Sequence, residues 1–156
     1  MVRASVSAAK ERVTVREVSV DAVVELTERI PEFAGKGYDA AHFEQRYAGK
    51  DPLLLAAFLG KQAVGYAVGY DRYQDGSYYC WMAGVLPSAR RNGALTALIA
   101  RLEREAKGRG YKHLRVKTRN SRRAMLAYLV KNGYQAIGFQ RRAPASENRI
   151  LFEKAL

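Results

Sequence analysis

Between Val85 and Thr96 the chain reads Val-Leu-Pro-Ser-Ala-Arg-Arg-Asn-Gly-Ala-Leu-Thr, the stretch whose residue types and spacing most directly offer chemistry. It joins an apolar, aromatic run (Tyr78 to Leu86) to a long amphipathic one (Leu95 to Gly108). A strand that ends in a proline and a short polar turn, then opens a helix at a glycine, is a device for holding phosphate. The head of a helix leaves backbone N–H groups unpaired, and the macrodipole adds roughly half a positive charge there. Gly93 has no side chain to keep an anion at a distance, and Arg90 and Arg91 add mobile positive charge.

The spacing Val85-x-Pro87-x-x-Arg90-x-x-Gly93-x-Leu95 resembles the signature of the GNAT superfamily of N-acetyltransferases, with Leu95 where that signature has Gly or Ala. The resemblance continues in order through helix, strand, Asn120, helix, Gly133-Tyr134 and strand. It covers most of residues 60 to 142 and weakens before them. What it implies is acetyl transfer from acetyl-CoA to an amine. The strand before the turn would splay from its parallel neighbour. Val85 would offer a main-chain contact near the thioester carbonyl. Arg90, Arg91, Asn92, Gly93, Ala94 and Leu95 would surround the pyrophosphate, with backbone donors presented from Arg90 to Thr96. Leu95 can turn into the core, since it heads an apolar stripe. Asn120 matches an asparagine that touches the pantetheine arm, or else it is a plain helix cap.

Acetyl transfer also needs a proton donor for the leaving thiolate and an acceptor for the amine proton. The resemblance places the acid at a tyrosine four residues before Gly133, where this chain has Leu129; Tyr128, one place earlier, is the candidate, and a core tyrosine is the alternative. No carboxylate occurs from Tyr78 to Leu86, where many members carry a glutamate. Asp75, Glu32 and His42 are the available substitutes, with a water relay as the remaining route. His42 and His113 lack metal-ligand spacing, and no H-E-x-x-H or C-x-x-C pattern occurs, so no metal is expected. Cys80 reads as a core residue.

The elements that must position these residues can be read from pattern. Arg12 to Val20 reads as a strand, and Asp21 as the cap of a helix reaching Ile30, closed by Pro31. Asp39 caps a short helix to Tyr47. Leu53–Leu59 and Ala63–Tyr73 form a hairpin about Gly60-Lys61-Gln62. The second strand has a face of Gly65, Ala67 and Gly69 small enough for a helix, or another backbone, to pack closely. Ser77–Leu86 feeds the turn, Leu95–Gly108 is a helix, and His113–Thr118 a strand. Ser121–Asn132 is a helix capped by Ser121 or Asn120, and Tyr134–Phe139 and Ile150–Phe152 are the last strands. The fold class expected is α/β (mixed α+β): a central, mostly antiparallel sheet of about seven strands with helices on both faces.

Composition sets the outer bounds. A chain of 156 residues with 48% hydrophobic residues is expected to form a single domain over residues 12–156, behind a flexible leader at residues 1–11. One cysteine excludes an internal disulfide, and no signal peptide is read at the N-terminus, so a cytoplasmic setting is expected. No apolar run approaches a membrane span. The net charge of +12 exceeds what a coenzyme's phosphates would require. Arg115, Lys117, Arg119, Arg122 and Arg123 cluster at one corner, where Arg122 or Arg123 could meet the cofactor 3′-phosphate and a solvated face accounts for most. The expected partner is an amine, on a small metabolite or a peptide, and a homodimer is left open. The rival class, a non-catalytic domain of this fold or a basic nucleic-acid-associated protein, finds no RNP, zinc-finger or helix-turn-helix pattern.

Overall fold

The computed structural model describes residues 12–156, so the leader expected over residues 1–11 lies outside them. Its elements run β1 (Val13–Glu17), α1 (Val20–Arg29), α2 (Ala40–Tyr47), β2 (Leu53–Leu59), β3 (Gln62–Tyr70), β4 (Ser77–Val85), α3 (Ala94–Gly108), β5 (His113–Arg119), α4 (Arg123–Lys131), β6 (Gln135–Gln140) and β7 (Arg149–Ala155). The seven strands form one sheet in the order β1-β2-β3-β4-β5-β7-β6, and β4–β5 is its parallel pair. This is the expected mixed fold, in the expected element order.

Two caps differ from expectation. Ser19, not Asp21, caps α1, its side chain accepting from the Ala22 amide. Asp21 falls in the first turn, where its carboxylate still meets the positive end of the helix. Neither Asn120 nor Ser121 caps α4, which begins after Arg122 without a side-chain cap. The Asn120 and Ser121 amides instead donate to the carbonyls of Asn148 and Ser146, so the β6–β7 loop holds them. Asp39 caps α2 as expected, through a 2.8 Å bond from the His42 amide.

The small face of β3 is used as its composition implies. A Cβ on Gly69 would lie 3.1 Å from Leu102 of α3 and 2.6 Å from Tyr78, so α3 packs there directly. Leu98, Ile99, Leu102 and Ala106 of α3 are fully buried against the sheet. On the other face α1 packs over β2 and β3 and α2 packs against α1, with Phe43 of α2 reaching Trp81 of β4 and Val23, Leu26, Ile30 and Phe43 buried. The ladder between β3 and β4 is interrupted once. Val68 pairs with Met82 but Gly69 with Cys80, so Trp81 is an extra residue, a bulge in the middle of β4.

Candidate active site

The bulge at Trp81 falls where β4 leaves β5. Parallel pairing runs from Ser77↔His113 to Cys80↔Val116 and stops. From Trp81 onward β4 pairs only with β3, which opens the sheet into a cleft of about 1490 Å³. The Leu86 amide donates to the Val64 carbonyl. In the alternation of an antiparallel ladder, Val85 therefore turns its own N–H and C=O away from β3 and into the gap. Its carbonyl accepts from Arg90 Nε at 3.2 Å, which leaves the Val85 N–H facing the cleft.

Beyond Val85 the turn is shaped for an anion. Arg91 and Gly93 both take left-handed backbone conformations, φ 68° and 80°, and α3 starts at Ala94. The first bond into the helix is from the Ala97 amide to the Gly93 carbonyl. Among the described residues, no protein acceptor meets the amides of Arg91, Asn92, Gly93, Ala94, Leu95 or Thr96. Successive unpaired N–H groups at left-handed positions form a concave anion nest, backed here by the dipole of a 15-residue helix. Nothing stands within 4 Å of where a Gly93 Cβ would be.

Arg90, Arg91, Gly93, Ala94, Leu95 and Thr96 line the cleft with Val85. Asn92 does not line it; its side chain closes the turn by donating to the Ala89 carbonyl at 3.3 Å. Leu95 is half-buried against the core and also borders the cleft, while Ala94 takes the fully buried place at the head of the stripe. Asn120 lies outside the lining, donating to the Ala145 carbonyl and accepting from Arg123 at 3.1 Å. Arg122 and Arg123 both border the cleft.

Tyr128 projects from α4 into the same cleft, half-buried. Burial first, then the charge of Glu103, raises its phenol above the ordinary value, with the Thr96 hydroxyl opposing. It is therefore a protonated donor throughout the neutral range, while Leu129 beside it is fully buried. The three substitutes for a base separate clearly. Asp75 accepts from Ser77 and pairs with Arg115 at 2.9 Å, outside the cleft lining; the Ser77 bonds lead in holding its carboxyl below the usual range. His42 packs edge-on to Phe43 and beside Trp81, also outside the lining. Glu32 borders the cleft, but it is ion-paired with Arg90. Burial alone would raise that carboxyl; its own backbone amide, Arg90 and Arg122 outweigh burial and lower it. Its second oxygen, Oε2, is buried with no partner among the described residues. Cys80 is wholly buried, its thiol pushed up to about 12, so it is core and not a nucleophile.

A gap between parallel strands, flanked by an amide nest at a helix head, fits an extended thiol carrier ending in a pyrophosphate. Residues 20–134 match the acetyltransferase (GNAT) family. The chain belongs to that family. An acetyltransferase of Pectobacterium atrosepticum is 28% identical over 123 residues, covering 78% of this chain and 85% of that protein. Among solved structures, the ribosomal-protein-S18-alanine N-acetyltransferase from Escherichia coli superposes with a TM-score of 0.76 at 18% identity, over 92% of this chain and 94% of that one. A GNAT acetyltransferase from Elizabethkingia anophelis, solved with acetyl-CoA bound, gives 0.73 at 17% identity, over 94% and 100%. These structural likenesses carry the fold. Within this GNAT fold, pattern alone does not single out the bulge at Trp81, the Glu32–Arg90 pair, or the part played in the cleft by Arg46, Arg72 and Arg149. Each depends on residues brought together across different elements, and no local spacing signals it.

Proposed function

We propose that the chain is an acetyl-CoA-dependent N-acetyltransferase acting on a primary amine of a small metabolite or peptide. The observation that carries this reading is the run of unpaired amides from Arg91 to Thr96, set beside the parted strands. When bound, acetyl-CoA supplies a thioester carbonyl at which the amine nitrogen forms a C–N bond as the C–S bond breaks. The amine loses one proton and the leaving sulfur gains one. The nest holds pyrophosphate, and the Val85 N–H donates to the carbonyl oxygen as negative charge gathers there. Tyr128 is the proton donor. Its place in the cleft supports that role: the phenol is protonated at neutral pH and, with its pKa raised, is a weak acid that gives up its proton only as charge builds on the sulfur.

The carboxylates that border the cleft, Glu32 and Glu147, are ion-paired with Arg90 and Arg119, so the amine is expected to lose its proton to water, with Glu32 Oε2 as the protein alternative. A cytoplasmic setting belongs to the same proposal, supported by a single, buried cysteine. The test is a thermal shift with acetyl-CoA followed by a turnover screen across amines, reading thiol release. Stabilisation together with amine-dependent thiol release supports the proposal. Stabilisation without turnover on any amine would favour a non-catalytic member. A salt-sensitive shift with nucleic acid and none with acetyl-CoA would favour the basic-protein alternative.

A further inference from the structure

The cleft has a second half, on the sheet face that carries α1 and α2. There Tyr79 and Trp81 form an aromatic floor, and Lys117 of β5 stands beside it, half-buried. Arg46 lies over the Trp81 ring at 5.0 Å and donates from Nε to the Tyr70 hydroxyl. Arg72 lies over Tyr79 at 4.8 Å. Arg149, on β7, completes the ring with its Nη1 buried and without a partner among the described residues.

These four cations share a peculiarity. The neighbouring arginines of the same strands are neutralised, Arg115 by Asp75 and Glu153 and Arg119 by Glu147. Among the described residues, no carboxylate pairs with Arg46, Arg72, Lys117 or Arg149. Their mutual closeness is evident at Lys117, whose ammonium is pushed below its ordinary value by burial and then by Arg72, Arg149, Arg46 and Arg142. A solvated face disperses such charges. Here two guanidinium groups stand over aromatic rings, a third has a buried unpaired nitrogen, and all converge on one lysine. Like charges held together in a concave site, with donors left open, are complementary to an anion.

We propose that the acceptor is an amine that also carries an anionic group, carboxylate or phosphate, and that Arg72, Lys117 and Arg149, with Arg46 at the rim, hold that group beside Tyr79 and Trp81. This rests on the transferase reading above and names its substrate class. The nest at Arg91 to Thr96 is a separate feature, at the head of α3, so the coenzyme phosphates and the acceptor's anion have different seats.

The experiment has two parts. In the first, no cofactor is present and unreactive anions, succinate and inorganic phosphate, are titrated against melting temperature. The comparison is between the parent protein, the Lys117→Met/Arg149→Gln double variant, and a Lys61→Met/Arg104→Gln control of equal net charge on exposed positions. The parent and control should be stabilised alike by succinate and the double variant should lose that shift; phosphate, which the nest at Arg91 to Thr96 also takes, should shift the double variant less than the other two. An equal shift in all three overturns the proposal, whatever acetyl-CoA does. The second part, with saturating acetyl-CoA, measures thiol release from glutamate and O-phosphoethanolamine against glutamine, ethanolamine and putrescine. The anionic amines should lead by at least about tenfold in kcat/KM, and the double variant should erase that lead through KM. Which of the two anionic amines leads assigns carboxylate or phosphate. Preference for neutral or cationic amines, or loss of acetyl-CoA affinity in the double variant, overturns the proposal. An anion shift retained without any acetyl-CoA shift instead removes the transferase reading, and the acceptor role with it.

Discussion

At the scale of single residues, two proton transfers can be separated. Tyr128→Phe removes one hydroxyl from a half-buried ring, so folding and acetyl-CoA binding should be nearly unchanged. Turnover should fall about 100-fold, within the range of general acid catalysis, measured as kcat from thiol release. Full turnover in that variant would make the tyrosine structural. The amine proton obeys a different rule. An alkyl ammonium titrates near 10.4, so only a small fraction is nucleophilic at neutral pH. Glu32 is held below the usual carboxylate range and is ion-paired, which makes it a weak base. The rate at subsaturating amine should therefore climb with pH, about tenfold per unit from pH 6 to 9, with no limb from Tyr128 in that span. A plateau near pH 7 that vanishes in Glu32→Gln would establish a dedicated base at that carboxylate.

At the scale of elements, the two glycines that matter do so for different reasons. Gly93 sits at φ 80° with open space around it, so a side chain there is opposed by backbone conformation and by what it denies an anion. Gly93→Val should lose the acetyl-CoA shift, read by titration against melting temperature. Gly69 has ordinary backbone but no room: a Cβ would press on Tyr78 and lie 3.1 Å from the Tyr79 carbonyl. Gly69→Ala should cost about 1–3 kcal/mol of stability by denaturant unfolding, through overpacking. The closeness of α3 to β3 is legible from the alternation of Gly65, Ala67 and Gly69, because a period of two is local. So are the strands, the stripe of α3 and the turn after Val85. The caps of α1 and α4 are misread from pattern because several polar residues compete near each start, and tertiary contacts choose among them. For α4 the β6–β7 loop claims Asn120 and Ser121 before the helix can. The bulge is invisible in the sequence, since Trp81 is extra only relative to the register of β3.

At the scale of the molecule, the charge of +12 is not spread evenly. Part is paired along the edge of β5 and part is concentrated, unpaired, around Lys117. Because the folded state lowers the Lys117 pKa, the unfolded chain binds more protons over the interval just below 10.5. The Lys117 contribution to stability should therefore rise with pH through that interval, while the buried Cys80 thiol and Tyr128 phenol, both raised, pull the total the other way. The difference in melting temperature between the parent and Lys117→Met should shift in the parent's favour as pH rises, and at pH 7 the variant should melt no lower than the parent. Melting curves from pH 7 to 10.5 test it; a clear loss of stability at neutral pH would mean that the ammonium is favourably bound in the fold.

The parting of β4 from β5 divides the chain as well as the sheet. Strands β1 to β4 with α1 and α2 come from one continuous segment, and β5 to β7 with α4 from the next. The two halves of the sheet share only the pairs Ser77–Cys80 with His113–Val116, while α3 belongs to the first segment and also touches β5. The seam between them falls at the turn around Gly110. A chain cut there yields two polypeptides that each keep their own hydrogen-bonded ladders and have an adhesive helix between them. Co-expressed, they should reassemble. A ligand that lies in the crack would act as mortar, so reassembly should tighten as acetyl-CoA is added, which a split reporter fused at the cut would read directly.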